Sequence, residues 1–195
     1  MTRKKLLYLI SVVAVFSIAA QDPDPQDYYY EMPDYPSEYT GGTVAGRMID
    51  GLGFRYYWAT AGLTEQDLTY RPTEEARNVE ETIEHILALT DIVLKTTTKE
   101  TVSFTEIEGL SFAEKRNKTL DNLKLASERI KQIASSELDE NRMVFSEESA
   151  YPFWNLLNGP LADAIYHVGQ VVSFRRISGN PINPNISVLS GKLRN

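Results

Sequence analysis

The sequence predicts an all-α fold, an antiparallel four-helix bundle. Three observations carry this. Four stretches of about 20 residues place apolar residues at helical spacing. Two capping boxes, Asn78 with Glu81 and Ser111 with Glu114, mark helix starts. No convincing pair of strands appears, and four helices of this length suit a bundle. The chain has 195 residues, 42% hydrophobic and 24% charged, an ordinary composition for one domain.

The N-terminus is organised differently. Arg3, Lys4 and Lys5 precede the apolar run of residues 6–20, which ends in small residues. A basic start, a short apolar core and a small-residue exit describe a signal peptide over residues 1–20, and hence an exported protein, periplasmic or extracellular. The run is shorter than the roughly 20 residues of a spanning helix, so no transmembrane span is expected after cleavage. An uncleaved anchor is the competing reading. Residues 21–38 hold four prolines, six acids and no base, and are expected to form an extended linker with tyrosines along it. Without residues 1–20 the chain keeps 17 Lys+Arg against 27 Asp+Glu, a net of about −10. That acidity argues against nucleic acid as partner. Cysteine is absent, which excludes disulfides, thiolate ligands and cysteine nucleophiles.

The bundle domain is expected over residues 39–180. A first helix spans residues 39–61, with Val44, Met48, Leu52 and an aromatic cluster from Phe54 to Trp58, and Gly62 suits its C-terminal cap. Its glycines each cost up to about 1 kcal/mol relative to Ala. They also let a neighbouring helix approach closely. A second helix begins at Asn78 and ends near Thr97; Val79, Ile83, Ile86, Thr90 and Val93 form its apolar stripe, with His85 just beside it. Residues 98–110 form a loop. The third helix starts at Ser111, buries Phe112, Leu120, Leu123 and Ile130, and turns Lys115, Arg116, Lys118, Lys124, Glu128 and Lys131 to solvent. A polar loop, residues 135–149, precedes a fourth helix that starts near Pro152. Trp154, Leu157, Leu161, Ala164, Val168 and Val171 line one face of it, and Pro160 predicts a kink or restart. Gly179-Asn180-Pro181 stops that helix, and residues 181–195 form a loop-like tail.

The chemistry concentrates in the fourth helix. Asp163 and His167 are four residues apart, on one helical face, with Gln170 a turn further on. The chain has one other histidine, His85, on the same shoulder of the second helix. Two imidazoles and a carboxylate can hold a divalent metal and leave positions for water and substrate. Such an N,N,O set suits Zn, Ni, Fe or Mn. The competing reading is a pair of hydrogen-bonded surface side chains. Gln170 or Asn158 could orient the ligands, and Trp154 and Phe174 could wall a pocket. Arg175 falls on the apolar face, so its guanidinium needs a carboxylate, helix-end carbonyls or an anionic ligand. No phosphate-cradling glycine loop or nucleophile elbow is present.

The helix order, His85 in the second helix and the run Asp163-Ala-Ile-Tyr-His167-Val-Gly169-Gln170 in the fourth resemble the DinB/YfiT-like family of four-helix bundles. In that family one histidine of the second helix joins two histidines of the fourth to bind a divalent ion. The resemblance covers roughly residues 40–180. It matches His85, His167, Gly169 and Gln170, places Asp163 where the middle histidine usually stands, and has Val168 in place of the usual basic residue. It implies a metal-dependent enzyme acting on a small molecule, since characterised members include thiol-dependent transferases and isomerases, some using zinc. Export to a compartment poor in small thiols makes hydrolase-like chemistry a further expectation. The alternative is a non-enzymatic ligand-binding or structural bundle with a degenerate metal site. The exposed faces of such a bundle also allow a homodimer.

Overall fold

A computed structural model of the chain describes residues 23–194. The expected signal peptide, residues 1–20, lies outside the described residues. The described chain is mostly helical, with four long helices: α1 (Gly41–Thr60), α3 (Val79–Thr97), α4 (Phe112–Ile130) and α6 (Ala162–Ile177). Two short ones, α2 (Glu65–Thr69) and α5 (Phe153–Leu156), make six, so a count of four describes only the long elements. No described helix is long and apolar enough to cross a membrane.

Helix starts follow local chemistry. Asn78 accepts from Glu81 N–H while the Glu81 carboxylate accepts from Asn78 N–H, and Ser111 and Glu114 repeat the exchange. Thr40 with Thr43 and Thr64 with Asp67 cap α1 and α2 in the same way. Gly62 takes φ +68 just after α1, the left-handed conformation that ends a helix cheaply only in glycine.

The long helices pack in a ring: α1 against α4 and α6, and α3 against the same two. Their directions correct the expected antiparallel bundle. Arg116, early in α4, reaches Tyr57 and Thr60 at the end of α1, whereas Ser127, late in α4, reaches Gly46 and Asp50, so α1 and α4 are antiparallel. Lys115 pairs with Glu80 and Glu84, and Asn122 bonds to Asp91, so α3 and α4 run parallel. Arg175, late in α6, meets the last residues of α1, so these two also run parallel. Parallel neighbours need long returns. Residues 98–111 supply one, running back along α3, where the buried Asp91 carboxylate accepts from Thr105 N–H at 2.7 Å and from the Thr105 hydroxyl at 3.1 Å.

The α1–α4 contact is close because Gly42 lacks a side chain. A Cβ there would lie 2.3 Å from the Ile130 carbonyl oxygen. Fully buried Asp50 of α1 is held by Lys131 Nζ at 2.5 Å and the Ser127 hydroxyl at 2.6 Å. Lys115, Arg116 and Lys131 therefore do not form a solvated side. Lys115 and Arg116 are buried and Lys131 is largely covered, each with acceptors from a neighbouring helix.

The N-terminal segment is not a free tether from residue 23 on. Tyr29 is 2% exposed, and its ring lies over Gly53, where a Cβ would come within 2.4 Å of it. The Tyr57 hydroxyl donates to Asp27 at 2.8 Å, and the Trp58 indole donates to the Tyr30 carbonyl at 3.1 Å. Aromatic rings supply the apolar area that its missing aliphatic residues do not. The tail is also structured. Short strands β3 (Ile186–Ser187) and β4 (Lys192–Leu193) form a hairpin, and Gly191 accepts from Met32 N–H. In the loop expected at 135–149, residues Ser135–Glu140 form a 3₁₀ helix, and Met143–Val144 (β1) pair with Ala150–Tyr151 (β2).

Candidate metal centre

The break at Pro160 builds one half of the site. Proline lacks an N–H and crowds the carbonyl four residues back. The helix accordingly breaks within Leu157–Leu161, where Gly159 takes the non-helical φ −96, ψ −107. Regular α6 then starts at Ala162, so Asp163 lies in its first turn and His167 one turn on, in register. His85 comes from α3, which packs against α6.

The three heads converge. His85 Nε2 is 3.4 Å from Asp163 Oδ2, and His167 Nε2 is 3.4 Å from Asp163 Oδ1. One ligand atom from each of the three lies within 4.8 Å of the others. The imidazole rings meet edge to face with centroids 4.7 Å apart. A separation of 3.4 Å is long for a hydrogen bond, which prefers about 2.7–3.2 Å. It is also close to the ligand–ligand spacing of a tetrahedral site with bonds of about 2.0–2.1 Å, about 3.3–3.4 Å, with the two imidazoles facing different oxygens of Asp163. The group is thus close enough to hold a metal ion, and its N,N,O chemistry fits a divalent one.

Its surroundings orient His167 and favour a neutral His85. His167 is 8% exposed, and its Nδ1–H donates to Gln170 Oε1 at 2.7 Å. That bond leaves the Nε2 lone pair directed at the shared point. Burial lowers the pKa of His85, and the charges of Arg77 and His167 lower it further against the opposing pull of Asp163. A neutral imidazole is the form a metal requires. The Asp163 side chain is 44% exposed, so the group opens to solvent.

The other sequence candidates part company with the triad. Gln170 stays with it through its hydrogen bond to His167. Asn158 is exposed and makes no hydrogen bond to the triad among the described residues. Trp154 is 71% exposed and lines a separate groove with Tyr39 and Met48, because the Gly159 break turns the helix start away from the α6 face. Phe174 packs on Tyr70, with ring centroids 6.0 Å apart. Arg175 lines no pocket beside the triad. Its guanidinium donates to the carbonyls of Trp58, Ala59, Ala61 and Asn180, so it caps the end of α1. Two residues escaped the sequence reading. Tyr166 sets its ring edge-on to His167 at 5.3 Å, and Arg77 brings positive charge near His85. Adjacency to His167 and to the Asn78 cap was their only signal.

Compared with known proteins, the chain matches no family model and no curated protein, so the donor geometry itself carries the functional reading.

Proposed function

We propose that this protein is an exported, metal-dependent enzyme of the DinB/YfiT-like kind, holding a divalent ion through His85, Asp163 and His167 and acting on a small molecule. The observation that carries the reading is the shared carboxylate: each Asp163 oxygen lies 3.4 Å from a different imidazole Nε2. The run Asp163 to Gln170 supports the family resemblance, and the basic start with the apolar run of residues 6–20 supports export.

A bound ion would supply Lewis acidity, which polarises a substrate and makes water or a thiol a competent nucleophile at neutral pH. The residues of the chain do the rest. Gln170 fixes the His167 ring and its tautomer. Burial and the charge of Arg77 hold the pKa of His85 down and so favour its neutral form. Asp163, half open to solvent, leaves a face for substrate to approach between α3 and α6. Low-molecular-weight thiols are scarce outside the cytoplasm, so hydrolysis is favoured over thiol transfer.

Metal analysis of the purified protein after exposure to Zn, Ni, Fe or Mn tests this, alongside His85→Ala and His167→Ala. About one ion per chain, lost in both variants, is the expected outcome. Wild-type protein that takes up none of the four metals would leave a non-enzymatic bundle.

A further inference from the structure

A second site lies on the other side of α6. A cavity of about 570 Å³, open on one side to solvent, lies between α1 and α6 and is flanked by tail residues from Pro181 to Val188. That volume is in the range of small-molecule sites. Its wall is apolar, with Trp58, Val168, Val172 and Ile182 prominent, and two guanidinium groups, Arg55 and Arg176, join the lining.

The charge pattern of the lining is distinctive. The chain carries a net charge of −7, yet no acidic residue lines this cavity. Among the described residues Arg55 donates only to the Gly51 carbonyl of its own helix, and Arg176 has no side-chain hydrogen bond or ion pair. Two cations without carboxylate partners beside an apolar slot complement a molecule with an apolar chain and an anionic head. Around α6 the wall residues Ile165, Val168 and Val172 lie roughly opposite Asp163 and His167, at about 100° per residue. The cavity is therefore separate from the candidate metal centre, and its occupancy does not depend on a metal.

We propose that the α1–α6 cavity binds a carboxylate amphiphile of the fatty-acid type, its chain against Trp58, Val168 and Val172 and its carboxylate on Arg55 and Arg176. Gly169 lines the same cavity, and a Cβ there would meet nothing within 4 Å, so a larger side chain has room to enter the space the ligand would fill.

Trp58 reports on it. The chain has two tryptophans, so Trp154→Phe leaves Trp58 as the only one. In that background, titration with decanoate at neutral pH should change the emission saturably. 1-Decanol, acetate and decyltrimethylammonium test the chain alone, the charge alone and the opposite charge. Decanol and the cationic amphiphile should bind at least about tenfold more weakly than decanoate, and acetate should not saturate. Arg55→Gln combined with Arg176→Gln should weaken decanoate binding by about tenfold, the scale of one charge-assisted hydrogen bond. Gly169→Leu should abolish it while helical circular dichroism and Tm stay at wild-type values. Absence of saturable binding, equal binding of decanol, or undiminished decanoate binding in the arginine pair would each overturn the proposal. Should Gly169→Leu fail to fold, the arginine pair and the ligand series still decide it.

Discussion

His167 Nδ1 lies 2.7 Å from Gln170 Oε1, so the imidazole is tied on one side and its Nε2 is aimed at Asp163 on the other. Gln170→Ala removes that tie without removing a ligand. It should weaken metal binding by about ten- to hundredfold, as the loss of outer-shell partners does elsewhere. Competition with a chromophoric chelator measures this. An unchanged affinity would mean the ring is oriented by packing alone.

On the proposed reading, metal should also stabilise the fold, because the candidate ligands come from both α3 and α6 and meet only in the folded chain. At a free concentration 100 times Kd the gain is about 2.7 kcal/mol. A rise in Tm with added metal in wild-type protein, absent in His85→Ala, is expected. A similar rise in that variant would place the ion elsewhere.

Arg175 is 3% exposed and donates to five acceptors around the end of α1. Arg175→Met keeps much of the side-chain volume but leaves those carbonyls without their donor. It should cost about 3 kcal/mol in urea unfolding, with metal stoichiometry unaffected. Loss of metal without loss of stability would reverse the assignment of this residue as structural.

Tyr29 pins residues 23–38 to α1. Tyr29→Ala opens a cavity of aromatic size and should cost about 3–5 kcal/mol. Gly53→Ala should loosen the same segment, since its Cβ would overlap the Tyr29 ring. Limited proteolysis is the sharper readout: cleavage within 23–38 should be slow in wild type and fast in both variants. Equal rates would show that the segment does not depend on this contact.

Asp67 gives a pH dependence of known sign. Burial raises its pKa, but hydrogen bonds from Asn180, Ser178 and Thr64 outweigh burial and leave it lowered from 3.8. A carboxylate with a depressed folded pKa contributes fully above its unfolded value and loses that contribution as pH falls through the folded one. Asp67→Asn should therefore be less stable than wild type at pH 7, with the gap narrowing below about pH 4. A gap that stays constant from pH 7 to pH 2.5 would assign the effect to shape rather than charge.

What local chemistry controls is readable from the chain directly. Capping boxes at Asn78 and Ser111 span four residues, so both helix starts were legible before any folding. The break at Pro160 was legible for the same reason, and the flank shared by Asp163, His167 and Gln170 follows from the helical period alone. Which helices become neighbours, and in which direction they run, emerges from packing. Helical period gives a helix its apolar face but not its partner. Lys115, Arg116 and Lys131 thus looked solvated until Glu80, Glu84, Thr60 and Asp50 came to meet them. Tyr29 likewise became core because Gly53, 24 positions on, left a space for its ring. The meeting of His85 with Asp163, separated by 78 positions, is the same kind of fact. Each depends on packing between segments remote in sequence, where burial and directional bonding select one arrangement from the several that local pattern permits.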